Sequence, residues 1–156
     1  MPPNTWHLYL LKPLIAMQFD PDNQIIQLCA HGMELEGEGK PDEASAVFQQ
    51  AWQQAANDFD KFIAAHYIAR HQKTVADKLK WDETALRLAL AIKEDGIEGT
   101  YPSLYLNIAK CHEDLNDFAK AKENYQNASS YTGFLNDDGY GNMIRGGIEN
   151  GISRVS

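Results

Sequence analysis

Apolar side chains recur at intervals of three and four residues along this chain, from about residue 20 to the C-terminus. That spacing places them on one face of an α-helix, and no segment of useful length alternates with the period of two that marks a strand. Asparagine, aspartate, proline and glycine divide the pattern into blocks, as helix caps and stops do. The pattern predicts an all-α protein with helices at about residues 25–36, 42–56, 59–75, 81–94, 103–115, 118–132 and 138–152.

Two of the predicted helix pairs repeat one arrangement of small and large side chains. The first copy contains Gly32, Ala44, Phe48 and Ala51, and the last contains Ala109, Ala121, Tyr125 and Ala128. In both copies the small residue of the first helix precedes the first alanine of the second helix by 12 positions. A generic helical bundle does not require this fixed offset, so the repeat predicts helix pairs that stack on one another.

A looser copy lies between these two. Ala69 is the small residue of its first helix, and Leu88 and Ala91 take the places of the aromatic residue and the last alanine. The small residues of successive copies are then 37 and 40 positions apart. Together the three copies, over about residues 24–130, resemble the tetratricopeptide repeat family, whose usual period is 34.

The resemblance implies a right-handed superhelical array of antiparallel helix pairs, an α-solenoid, with an extended concave surface. We expect three parts in the chain: an apolar N-terminal arm over residues 1–19, three helical hairpins over residues 20–133, and a C-terminal capping helix and tail over residues 134–156.

The family resemblance also implies a binding groove. In this family the first helix of each pair lines the concave surface, and residues three before, two before, one after and four after the small position face it. The groove residues predicted in this way are Met33, His66, Tyr67, Arg70, Lys73, Leu106, Asn107 and Lys110.

The predicted groove is basic in a chain that is acidic as a whole. Residues 57–81 have a net charge of +2, whereas the chain has a net charge of -8. Arg70, Lys73 and Lys110 favour an acidic or carboxylate-bearing peptide, and Asn107 is suited to hold a backbone amide. A full carboxylate clamp, as in some family members, is not expected, because Cys29 and Met33 replace the polar pair in the first copy. The alternative interpretation is that these charges are solvated and pair with nearby acids.

The composition excludes several functions and favours a protein partner. An excess of 22 acidic over 14 basic residues opposes binding to nucleic acids and to anionic membranes. We find no motif for catalysis, a metal or a cofactor, so we expect a non-catalytic adaptor. Cys29 and Cys111 are predicted to be buried free thiols, which fits a reducing, cytoplasmic location.

The N-terminal arm is apolar but is interrupted by Lys12 and Pro13, and it is too short for a membrane span. Three hypotheses fit it: a cap on the first hairpin, a ligand mimic in the groove, or a contact with a second copy. The alternative function is therefore a structural module that dimerises through the arm or its convex face.

Overall fold

The computed structural model describes residues 22–156, so the predicted N-terminal arm lies outside the described residues. Within residues 22–156 the secondary structure is helical and includes no strand. Two short 3-10 helices, Ile97–Thr100 and Thr132–Phe134, accompany the α-helices. The α-helices are α1 (Gln24–Gly37), α2 (Pro41–Gln54), α3 (Asp58–Ala69), α4 (Val75–Ala91), α5 (Tyr101–Asp114), α6 (Phe118–Ser130) and α7 (Gly139–Val155).

Asparagine caps open the first helices of the first two pairs. The side-chain oxygen of Asn23 accepts hydrogen bonds from the backbone N–H groups of Ile25 and Ile26, at 2.9 and 3.2 Å. Asn57, 34 residues later, accepts one from Asp60 at 2.9 Å. The Asn23 amide also donates to the Asp60 carboxylate at 3.2 Å, which ties the start of α1 to the start of α3. These caps satisfy N–H groups that a helix leaves unpaired at its start.

The boundary between α3 and α4 differs from the sequence prediction. The pattern predicted a helix to Val75 and the next from Trp81, but α3 ends at Ala69 and α4 begins at Val75. The cause is Thr74, whose hydroxyl accepts from the Asp77 backbone N–H at 3.1 Å and donates to the Asp77 carboxylate at 2.8 Å. This reciprocal cap starts α4 before its apolar face begins.

The spacing of the copies also differs from the prediction of 37 and 40. From Gln24 to Asp58 is 34 residues, and from Asp58 to Tyr101 is 43. The second helix of each pair shows the same spacings, since α2, α4 and α6 also begin 34 and 43 residues apart. The nine additional residues before the third copy lie in a longer α4 and in the segment that contains Ile97–Thr100.

These spacings assign different residues to the repeat positions of the middle copy. Its equivalents of Gly32, Ala44, Phe48 and Ala51 are His66, Lys78, Asp82 and Ala85. The assignments of Ala69, Leu88 and Ala91 were therefore wrong, and Ala91 is in fact exposed at the end of α4. The sequence pattern failed here because the middle copy replaces an alanine and the aromatic residue by a charged pair.

The helices pack in adjacent pairs, as an α-solenoid of the predicted kind requires. The predicted small and aromatic residues of the first and last copies are buried in their interfaces. A Cβ atom on Gly32 would lie 2.4 Å from the Phe48 ring, so that glycine allows the close approach of α1 and α2. Among first helices, α1 packs on α3 and α5 packs on α7, and we call α1, α3, α5 and α7 the inner helices.

Candidate functional site

Arg70 lies at the C-terminal end of α3, where it is bonded to an acid of α1. Its guanidinium donates to the Glu36 carboxylate and lies 5.0 Å from the centre of the Tyr67 ring. His71 approaches the other Glu36 oxygen at 2.6 Å. The Arg70 and Glu36 side chains are only 18% and 15% exposed. Arg70 is thus held within the described chain rather than presented as an unpaired cation.

Tyr67 and His66, on the preceding turn of α3, are buried. The Tyr67 ring stacks on Phe48, with centroids 5.0 Å apart, and the His66 ring meets it edge-on at 5.2 Å. Tyr67 is 0% exposed, and its burial raises the pKa of the phenol. Within residues 22–156, its hydroxyl has no hydrogen-bond partner.

The predicted groove residues of α5 are more open. Lys110 is 52% exposed and pairs with Asp114 one turn later on the same helix. Asn107 is half-buried. Leu106 is half-buried and packs on α7 beside Gly147, where an added Cβ atom would lie 3.2 Å from the Leu106 side chain. The two remaining predicted residues are Met33, half-buried against the core, and Lys73, exposed in the turn after α3.

A charged network joins α5 to α7, and the sequence analysis missed it. Arg154 donates from Nε and Nη2 to the two Glu113 oxygens, at 2.6 and 3.1 Å. The Tyr125 hydroxyl donates to Glu113 at 2.5 Å. These hydrogen bonds, with Arg154 the larger cause, hold the pKa of Glu113 at about 2, below its usual 4.5.

The same contact occurs between the first two copies. Glu36 and Glu113 are equivalent residues of α1 and α5, and each bonds an arginine from the next inner helix that it packs on. Through this contact, α7 lies against α5 in the same way that α3 lies against α1. The sequence feature that could have predicted these contacts is a glutamate at the same position of the first and last copies, Glu36 and Glu113.

A second buried cluster occupies the middle copy. Lys78 Nζ lies 2.5 Å from the Asp82 carboxylate, and the Cys111 thiol donates to the same oxygen at 3.5 Å. Burial raises the pKa of Asp82, and it raises the pKa of Cys111 to about 11. Burial likewise raises the pKa of Cys29 to about 12. Both cysteines are buried and free, as predicted, and they stay protonated at neutral pH.

Comparison with known proteins identifies the last copy. The tetratricopeptide repeat family model matches residues 102–132, which span most of α5 and all of α6. Residues 102–132 thus form a tetratricopeptide repeat. The match covers one copy, the one in which the predicted spacing of small and aromatic residues is retained. A search of curated proteins and a search of solved structures each returned no match.

The family rule for concave positions can now be applied in the structural register. With Gly32, His66 and Ala109 as small positions, the middle copy presents Tyr67 and Arg70 but neither His66 nor Lys73. His66 itself occupies the small position, and Lys73 lies beyond the end of α3. In this register the family rule predicts concave positions at Cys29, Ala30, Met33 and Glu36 on α1, Ile63, Ala64, Tyr67 and Arg70 on α3, and Leu106, Asn107, Lys110 and Glu113 on α5.

Two negative findings concern the described residues alone. None of the helices in residues 22–156 has both the length and the apolar character needed to cross a membrane. That part of the chain also contains no cluster of three or more His, Cys, Asp or Glu side chains suited to a metal ion.

Proposed function

We propose that this protein is a non-catalytic adaptor that binds a segment of a partner protein along the concave face. The family as a whole suggests a module for protein–protein interaction. The observation that supports the proposal is that Lys110, on the first helix of the matched copy, is exposed. The family rule predicts that Lys110 and Asn107 occupy concave positions of this helix.

The chemistry of these two residues favours a segment that carries a carboxylate. The exposed pair between Lys110 and Asp114 contributes at most about 1 kcal/mol, so an incoming carboxylate can displace Asp114. The Asn107 amide can donate to one peptide carbonyl and accept from one peptide N–H. Arg70 is a weaker candidate because it is already bonded to Glu36 in a mostly buried pair.

The test is capture of peptides from a display library by the purified full-length chain. The test variants are Lys110→Glu and Asn107→Ala. The matched control is Lys122→Glu, which makes the same charge change at an exposed position on α6, the second helix of the same pair. We expect the wild type and the control to enrich acidic peptides, and Lys110→Glu to capture them at least tenfold less well.

Two results would contradict the proposal. One is that Lys110→Glu and Lys122→Glu capture the same peptides as the wild type. The other is capture that does not weaken when salt is raised, since an exposed lysine–carboxylate contact is screened by salt. Salt-insensitive association would instead favour the self-associating module.

A further inference from the structure

The two equivalent glutamate–arginine contacts differ in their exposure to solvent. Between α1 and α3, the side chains of Glu36 and Arg70 are 15% and 18% exposed. Between α5 and α7, the Glu113 side chain is 13% exposed, whereas that of Arg154 is 47% exposed. The arginine of the second contact is therefore open to a ligand, while the arginine of the first contact is largely covered.

Arg154 combines a fixed position with unused hydrogen-bond donors. Its Nε and Nη2 atoms donate to the two Glu113 oxygens, and Nη2 also approaches the Tyr125 hydroxyl at 3.2 Å. A guanidinium group has five N–H donors in a rigid plane. Within residues 22–156, Nη1 takes part in no hydrogen bond, so its N–H groups remain for a ligand. Because the guanidinium is already held, a ligand that binds Nη1 does not have to order a free side chain.

Lys110 is the second exposed cation near Glu113. It precedes Glu113 by three residues on α5, a spacing that places both side chains on one face of the helix. The hydrogen bond from Arg154 is the largest cause of the low pKa of Glu113, and the charge of Lys110 lowers that pKa further. The two cations therefore lie on either helix of the α5–α7 interface, next to one carboxylate.

Two contacts show how α5 and α7 lie relative to each other. Leu106 packs beside Gly147, and Glu113 bonds Arg154, so both contacts join residues 41 positions apart. Equal offsets at two points mean that the helices run side by side in the same direction. A segment that lies on α5 beside Lys110 thus also meets the C-terminal part of α7.

The charge that this surface presents to solvent is chiefly positive. Lys110 and Arg154 are 52% and 47% exposed, whereas Glu113 is 13% exposed and is bonded to Arg154. Asp114, the other acid, is 43% exposed and pairs with Lys110 on the same helix. Such an exposed pair is weak in water, so an incoming carboxylate can replace Asp114 and gain a second cation in Arg154.

We propose that an acidic side chain of the partner segment binds between Lys110 on α5 and Nη1 of Arg154 on α7, so that the capping helix forms half of the binding site. This inference rests on the proposed function in one respect, namely that the partner is a segment with a carboxylate. It adds a cation from outside the matched repeat, since Arg154 lies beyond residues 102–132. The bound segment contacts both the last repeat and the helix that caps it.

The experiment measures the binding of a fluorescently labelled hexaglutamate peptide to the full-length protein, by fluorescence anisotropy at low salt. Substitution of Arg154 itself would also break its bonds to Glu113, so the test uses an exposed neighbour. Asn150→Glu places a carboxylate one turn before Arg154, at a spacing that favours a glutamate–arginine pair. The introduced carboxylate occupies the arginine and repels the peptide. Asn142→Glu is the matched control, with the same change at an exposed position nearer the start of α7.

We expect Asn150→Glu to weaken hexaglutamate binding about fivefold, and Lys110→Glu to weaken it at least as much. The control Asn142→Glu should leave the affinity nearly unchanged, and thermal unfolding checks that each variant is folded. Equal affinities of Asn150→Glu and Asn142→Glu would overturn the proposal. It would also be overturned if the wild type bound no hexaglutamate, or bound a neutral hexaglutamine peptide equally well.

The outcomes separate this inference from the proposed function. Peptide capture or hexaglutamate binding that Lys110→Glu weakens and Asn150→Glu does not would contradict the role of Arg154 and support the adaptor function. Hexaglutamate binding that both variants weaken, without capture of any segment from the display library, would uphold the site between Lys110 and Arg154 and contradict the adaptor function.

Discussion

Contacts between a glycine and an aromatic ring set how closely particular helices approach. Gly32 faces Phe48 within the first pair, and Gly151 of α7 faces Tyr125 of α6. Both rings are 0% exposed, so neither has room to move away from an added methyl group. The sequence predicted Phe48 and Tyr125 as buried rings from their spacing. It could not predict that Tyr125 meets Gly151, because that contact depends on where the capping helix docks.

Two glycines of α7 provide a matched test of this packing. A Cβ atom at Gly151 would lie 2.2 Å from the Tyr125 ring, whereas one at Gly146 would meet nothing within 4 Å. Gly151→Ala is expected to lower the free energy of unfolding by about 1–3 kcal/mol through overpacking. Gly146→Ala is expected to raise it by about 0.5–1 kcal/mol through helix propensity. Urea denaturation measures both, and equal stabilities of the two variants would refute the packing described.

The Glu113 network makes stability depend on pH. Because the folded-state pKa of Glu113 is about 2 and its usual value is 4.5, its contribution is fully present above about pH 5. It is lost as the pH falls from 4.5 towards 2. Glu113→Gln is expected to cost about 1–2 kcal/mol at pH 7, since it weakens hydrogen bonds to a charged group.

The check is urea denaturation of wild type and Glu113→Gln between pH 7 and pH 3. The difference between the two proteins should narrow steadily below pH 4.5. A constant difference across this range would show that Arg154 and Tyr125 do not hold the carboxylate in its ionised form. Glu149→Gln, at an exposed acid on the same α7 helix as Arg154, is the control and should change little.

At the scale of the elements, the middle hairpin is the unusual one. Its second helix replaces the alanine and the aromatic ring of the other copies by Lys78 and Asp82, and Cys111 of α5 bonds the buried carboxylate. The Asp82 side chain is 2% exposed. Loss of the lysine alone would leave that carboxylate without its cation in the interface between α4 and α5.

Single and double substitutions of this pair should therefore have opposite effects. Lys78→Met is expected to destabilise the protein by about 3 kcal/mol, because it leaves a buried charge uncompensated. Lys78→Met with Asp82→Leu removes both charges, and such replacements are often neutral or stabilising. Thermal unfolding at pH 7 would measure the effect. A double variant that is less stable than the single variant would contradict this account of the cluster.

All seven α-helices of residues 22–156 could be predicted from the spacing of apolar residues. The largest difference in helix bounds was at the turn from Arg70 to Thr74. Thr74 was predicted to lie inside a helix, whereas it caps the start of α4. The small position of the middle copy was placed at Ala69 instead of His66, because alanine is small and histidine is not. Local patterns identify helices well, but a side chain as large as histidine at a small position hides the register.

At the scale of the whole molecule, two spacings describe the array. A spacing of 34 residues places α3 beside α1, and a spacing of 43 separates α5 from α3. The buried small positions Gly32 on α1 and Ala109 on α5 could be predicted, because each precedes an alanine of the next helix by 12 positions. The pairing of Arg70 with Glu36 could not, because it joins residues 34 positions apart on different helices.

The central claim is that the concave face, and not the outer helices, binds a partner segment. It is tested most directly by backbone NMR shifts of the full-length chain during titration with a captured acidic peptide. The account predicts that the largest shifts lie on α1, α3 and α5, with Asn107 and Lys110 prominent. Shifts centred instead on the exposed apolar side chains Leu115 and Phe118 at the α5–α6 turn would contradict it.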